Sequence, residues 1–569
     1  MSIFQKITAL SLAALMVVSA AGCQRKTDEE KNPTTDTDTQ KETTYTANEY
    51  IKNPELWETP KLTEGQPFQF EIQIVSDQRF DRKHLERSIQ EYDLGDTFSL
   101  LPATAAPEWG YSITHLDGKI DGAGRVIETN FNGVNAPKTP AEALKKIKEF
   151  LEKQYVSNGT EWYSMNGHYP WHHYAAEFGA SAVLSEIGEN VSNYQLRLAF
   201  TRGAARQYNL PWGMDFSNWW NMRILDYTIQ NDGEGGTWGT QSHPQGGHSL
   251  NLMERSFVMS YMSGADVIVA EAGAPLSFYN YLTDDGFYKL SPYGETCQSF
   301  NKFVKANPDI GITYTPIGLV LDYYHGSYSG LASDTKKTFG TFDYNAGDEM
   351  TWSLMDMIWP GGWVVEDTRD ETGTMINSPY GDSFDVLLQN ASQEVLNSYP
   401  ALVLSGDIKL SSKEAELYKE YVNQGGILVL NTAYTKKFPE FKENTEYGKG
   451  RVIVYGPDYS VEGLDQILKE LLNELSPFSV EGDVQYLTNV RDDTMYVTLI
   501  NNKGVTKTTT EAEKVDTSQT SRVTVTYKGS KGISSVKEIY ADTALENGEK
   551  SVTLTLPAGG IAILEYQLK

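Results

Sequence analysis

Four apolar runs in this chain each lead into an acid. SAVLSEIGEN carries Glu186, LPWGMD carries Asp215, DVIVAEAG carries Glu271 and IGLVLD carries Asp322. Stretches with helical spacing separate such runs. In TPAEALKKIKEFLEKQYVS (139–157), Thr139 is placed to cap while Ala141, Leu144, Ile147, Phe150 and Leu151 form one apolar stripe. Short Val-, Ile- and Leu-rich strands alternating with helices predict an α/β fold with a parallel sheet covered by helices. Roughly seven or eight such units between residues 61 and 379 fit a closed (β/α)8 TIM barrel better than an open sheet.

The pattern changes near residue 380. FDVLL, YPALVLSG, SSKEAELYKEYVNQ, GGILVLN and KGRVIVYG predict a small doubly wound, flavodoxin-like α/β domain over 380–478. From 479 to 569 the runs are short and alternating, as in SRVTVTYKG and SVTLTLPAGGIAILEYQ, with turn residues between them. That predicts an antiparallel β-sandwich.

The first 23 residues have Lys6, an apolar stretch from Ile7 to Ala20, and small residues before Cys23. The stretch is too short for a membrane span and reads as a secretory signal. Its end, Ala20-Ala21-Gly22-Cys23, resembles the bacterial lipobox, although Ala20 stands where that pattern most often has Leu. The resemblance implies cleavage before Cys23, its lipidation, and a place in the bacterial cell envelope facing the exterior. Residues 24–60 then read as a flexible linker, because 24–45 is polar, Thr-rich and almost without apolar residues. Only Cys297 remains, so no intrachain disulfide is expected.

A net charge of −28 argues against nucleic acid as a partner. Aromatic residues make up 12 % of the chain, many beside Gly, Asn and Asp in loop-like sequence. Ring faces next to polar groups suit sugar rings. WYSMNGHYPWHHY (162–174) offers Trp162, Asn166, His168 and Trp171, and PWGMDFSNWWN offers Trp212, Asn218 and Trp219. His168, His172 and His173 have no HExxH or spaced Cys/His companions, so neither metal nor cofactor is expected.

A barrel followed by a flavodoxin-like domain with LSSKEAELYKEYVNQGGILVL and a sandwich ending LPAGGIAILEY resembles the architecture of glycoside hydrolase family 42 β-galactosidases and related barrel glycosidases. The resemblance implies cleavage of O-glycosidic bonds by two carboxylates at barrel strand ends, and an oligomer held by the flavodoxin-like domain. Glu186, read as ending the fourth strand, is then the acid/base, and Glu271 the nucleophile. Related enzymes carry the nucleophile on the seventh strand, where the sequence offers Asp322. Asp215, Asp322 and Tyr323 join the Trp, Asn and His residues above as expected substrate contacts. Arg202 and Arg206 are placed to pair with carboxylates or to face solvent. A glycan-binding lipoprotein without turnover and an inverting glycosidase are the alternatives; the second differs in carboxylate spacing.

Overall fold

The computed structural model describes residues 68–74, 81–97, 104–105, 119–120, 126–128, 137–154, 162–165, 171–188, 194–218, 248–271, 273–325, 337–339, 342–361, 371–441, 445–507 and 512–569. Within the first unit, seven strands form one parallel sheet. They are β1 (Gln69–Ile72), β2 (Asp96–Thr97), β3 (Thr104–Ala105), β4 (Trp162–Met165), β5 (Val183–Gly188), β6 (Trp212–Ser217) and β7 (Val267–Glu271). Their order is β2-β1-β7-β6-β5-β4-β3. The first strand therefore bonds the last as well as the second, which is the order of a ring. The ladder is open only between β2 and β3, and residues 98–103 between them lie outside the described residues.

Helices cover this ring: α1 (Pro140–Gln154), α2 (Trp171–Glu177), α3 (Tyr194–Tyr208), α4 (Leu250–Met262) and α5 (Pro292–Ala306). Local sequence sets their starts. Ser249 Oγ accepts from the Leu252 amide at the head of α4, and α5 opens with Ser291 as cap and Pro292 in its first turn.

The expected seventh barrel strand, which carries Asp322, belongs elsewhere. β8 (Ile317–Leu321) pairs in parallel with β9 (Phe384–Leu388) and β10 (Ala401–Ser405), inside a second sheet. That sheet continues through β11 (Ile427–Asn431) to β13 (Gly450–Tyr455), with β12 (Thr445–Tyr447) antiparallel on its edge. Helices α6 (Ala346–Ile358), α7 (Ser412–Gln424) and α8 (Leu464–Leu475) accompany it. The boundary expected near 380 thus falls within this unit, whose first strand starts at Ile317. Both sheets need an apolar run of this kind, so the run alone does not say which will recruit it.

One helix serves both sheets. All of α3 from Tyr194 to Arg206 is buried, and a Cβ on Gly203 would lie 1.9 Å from the Val386 carbonyl oxygen of β9. Glycine is what allows that approach. Beyond residue 478, two antiparallel sheets share an apolar cluster that includes Val497, Leu499, Val525 and Leu554. Among the described residues, no helix is long and apolar enough to cross a membrane.

Candidate active site

Period-two alternation decides what each barrel residue can reach. Val183, Ile187, Trp212, Met214, Phe216, Ile268 and Ala270 pack in one apolar cluster with α3 and α4, so they face outward. The residues between them face the lumen. Strand register then sorts the lumen into layers. Glu186 is level with Asp215, Asp215 with Val269, and Val269 with Glu71. One step nearer the carboxyl ends, Ser217 is level with Glu271. Glu71, Glu186 and Asp215 are 0 %, 7 % and 1 % exposed, so three buried carboxyl groups share one layer. Glu271 is partly exposed above them, as the strand-end reading expects.

The fifth described strand carries Glu186 and the seventh carries Glu271. Their Cα positions are two strands and two residues apart, roughly 11–12 Å on flat-sheet spacings, and both side chains enter the same lumen.

The expected contacts divide sharply. Asn218 follows β6 directly and is fully buried, and neither end of its side-chain amide has a partner among the described residues. Its main-chain oxygen accepts from the His248 amide at 2.9 Å. Trp162, Trp171 and Trp212 are not lumen residues. Trp162 and Trp212 share the outward parity of Val183, and all three rings are buried in apolar clusters beneath helices. They fill the core. Asp322 and Tyr323 follow β8 in the second sheet and do not join Glu186. The Tyr323 hydroxyl donates to Glu177 at 2.9 Å, tying that loop to α2. Asn166, His168, Trp219 and Cys23 lie outside the described residues.

His172 and His173 belong to the core as well. His172 Nδ1 is 3.2 Å from Ser164 Oγ, and His173 Nε2 donates to the Val386 carbonyl at 2.9 Å. Burial pushes the His173 imidazole down to about 4, against that hydrogen bond. Arg202 and Arg206 face neither solvent nor the lumen. Arg202 binds Asp382 and Asp385, and Arg206 binds Asp385, all of them buried.

Two carboxylates were not anticipated. Glu71 was legible, because FQFEIQ alternates aromatic and aliphatic residues with Gln69 and Glu71. Glu371 had no such signal. It is buried and accepts from the Ser249 amide at 2.8 Å and from Ser249 Oγ, with His248 Nδ1 at 3.4 Å. Burial opposes its charge, but His248 and Ser249 outweigh that and hold its carboxyl below the usual range. It anchors the segment after α6 beside the end of β6.

Asp322 has a measurable consequence in its new place. Burial pushes its carboxyl up to about 6. A raised acid costs stability increasingly as the pH climbs from its unfolded value, ~3.9, through the folded one. Asp322→Asn is therefore expected to stabilise the fold by ~2 kcal/mol near pH 8 and to have no effect below about pH 4. Thermal denaturation of both forms at the two pH values checks this.

No family model matches the chain, and no curated protein sequence matches it. Among solved structures it is similar to a β-galactosidase from Bacillus circulans sp. alkalophilus at 11 % identity and TM-score 0.42, covering 75 % of this chain and 66 % of that one. It is similar to an exo-carrageenase GH42 from Bacteroides ovatus at 11 % identity and TM-score 0.42, covering 79 % and 58 %. An α-L-fucosidase isoenzyme 2 from Paenibacillus thiaminolyticus aligns at 9 % identity and TM-score 0.41, covering 75 % and 71 %. The chain spans under two thirds of the length of the first two. By their names, the proteins to which it is similar are glycoside hydrolases.

Proposed function

We propose that this chain is a lipid-anchored glycoside hydrolase that retains anomeric configuration, with Glu186 as acid/base and Glu271 as nucleophile. One observation carries the reading: two glutamates enter the same lumen of a parallel ring, one layer apart, at the carboxyl end where such rings do their chemistry. Glycoside cleavage needs a proton donor for the leaving oxygen and an ionised carboxylate opposite it. Asp215 and the Asn218 amide stand beside them on β6 and just past its end, where they can bind sugar hydroxyls. The strand order around β8 supports a flavodoxin-like middle domain, and the two facing antiparallel sheets support a terminal sandwich.

The test is hydrolysis of aryl glycosides and natural glycans by the full chain, with NMR of the first-formed anomer. Cleavage with retention supports the proposal; inversion refutes the assigned role of Glu271, and no cleavage refutes the enzyme. The lipid anchor is tested separately. Cys23→Ser is expected to abolish radiolabelled palmitate incorporation and to release the protein from the membrane pellet.

A further inference from the structure

We propose that the carboxyl edge of the middle sheet, where the strand order reverses between β8 and β10, is a second saccharide-binding site separate from the barrel. Open α/β sheets bind ligands at that position, because the loops diverge there and leave a crevice. In this chain the first strand, β8, lies between the second and the third.

The switch point has a defined wall. Asp322 follows β8 and Gly406 follows β10. A side chain starting at Gly406, φ +112°, would begin 3.0 Å from the Asp322 Cβ and 3.2 Å from Thr351 Oγ1. Thr351 Oγ1 and Ser405 Oγ are both in fully buried residues, and neither has a hydrogen-bond partner among the described residues. Leaving a buried hydroxyl unmatched is costly, and with Ser405 ending β10 and Thr351 on α6 beside the Gly406 turn, a ligand that brings hydroxyls of its own and opens this edge would match both.

Aromatic surface continues from that wall. The Tyr434 hydroxyl donates to the Gly406 carbonyl at 2.6 Å, and its ring centroid is 6.5 Å from that of Tyr459. Tyr459 is 36 % exposed and Tyr324 43 %, two of the few large apolar residues left open among the described residues. Tyr459 also has φ +56°, an uncommon conformation for a bulky residue. The Tyr324 amide donates to Asp322 Oδ1 at 3.0 Å, which keeps that loop against the carboxylate.

Chemistry narrows the ligand. Asp348 pairs with His325 at 3.0 Å and Asp407 with Lys409 at 2.6 Å, which leaves Asp322 as the carboxylate in excess there, so an anion is disfavoured next to it. The α6 amino terminus offers no phosphate cradle, since Asn345 and Asp348 already cap it reciprocally. No group of three metal-binding side chains occurs among the described residues. A neutral polyol meets none of these objections. Its hydroxyls can donate to Asp322 and its C–H faces can lie on Tyr324 and Tyr459.

Nitration of exposed tyrosines, read peptide by peptide by mass spectrometry, tests this on the full chain carrying Glu186→Gln and Glu271→Gln. The probes are cellotetraose, galactotetraose and maltotetraose, with inorganic phosphate as the anionic control. At least one tetrasaccharide is expected to slow nitration of Tyr324 and Tyr459 about ten-fold at ten times its Kd. Asp322→Asn is expected to shift the protecting concentration upward about ten-fold, the equivalent of one hydrogen bond to a charged group. Protection by phosphate as strong as by saccharide, unchanged nitration with every saccharide, or indifference to Asp322→Asn would each overturn the site. The readout does not depend on turnover, so it stands or falls apart from the barrel reading.

Discussion

Glu186→Gln is expected to lower kcat by ~10²–10⁴ on substrates with poor leaving groups, the usual range for a lost general acid. With an activated aryl glycoside the first step needs no proton, so much of the glycosylation rate should survive and the slow step should become deglycosylation. Azide, a small nucleophile that needs no general base, should then accelerate turnover and give a glycosyl azide of retained configuration. Glu271→Gln should fail with both kinds of substrate, because no covalent intermediate can form. The two variants therefore separate by leaving-group dependence and not by rate alone. A Glu271→Gln chain that still cleaves activated glycosides at the parent rate would sink the assignment. The geometry that motivates the contrast is the one-layer offset. Glu186 is deep, level with Asp215 and Glu71, while Glu271 is at the mouth beside Ser217.

The lumen positions of the strand-end acids were legible because the period-two pattern of a strand lies in its own residues. VLSEIG and VIVAE each hold an apolar outward set and an acid of the opposite parity. The same parity could have removed Trp212 from the contacts: it is three residues from Asp215 on one strand, so the two must face opposite sides. The place of Asp322 was not legible. IGLVL is buried on both faces, and its sheet is decided by FDVLL and ALVLS, which begin 67 and 84 residues after Ile317. Arg202 and Arg206 were ambiguous for the same reason. A helical arginine reads as surface until the strand across from it is known, and Asp385 is 183 residues from Arg202.

Removing the Asp385 carboxylate is expected to be the most destabilising single change outside the lumen, at ~3–5 kcal/mol. Asp385 is fully buried and accepts from Arg202 Nε at 2.7 Å, from Arg206 Nη1, and from the Thr315 and Tyr399 hydroxyls at 2.8 Å each. Arg202 also forks onto Asp382 with two bonds of 2.8 Å. Burial works against the Arg202 charge, and Asp382 and Asp385 more than reverse that. Burial likewise opposes ionisation of Asp385, but Arg206 and Arg202 hold its carboxyl below the ordinary range. Because the folded value is depressed, its contribution is complete above the unfolded value, ~3.9, and is lost as the pH falls through the folded one. Asp385→Asn keeps the shape and the Tyr399 acceptor but leaves two buried arginines with one carboxylate, Asp382, between them. Its melting temperature should therefore fall well below that of the parent near pH 7, and the gap should close as the medium is acidified below about pH 4. A gap of constant size across that range would mean that packing of α3 on β9, and not charge, holds the two sheets together. Gly203→Ala separates the cases. Its Cβ would strike the Val386 carbonyl, so it should destabilise through packing alone, by an amount that does not change with pH.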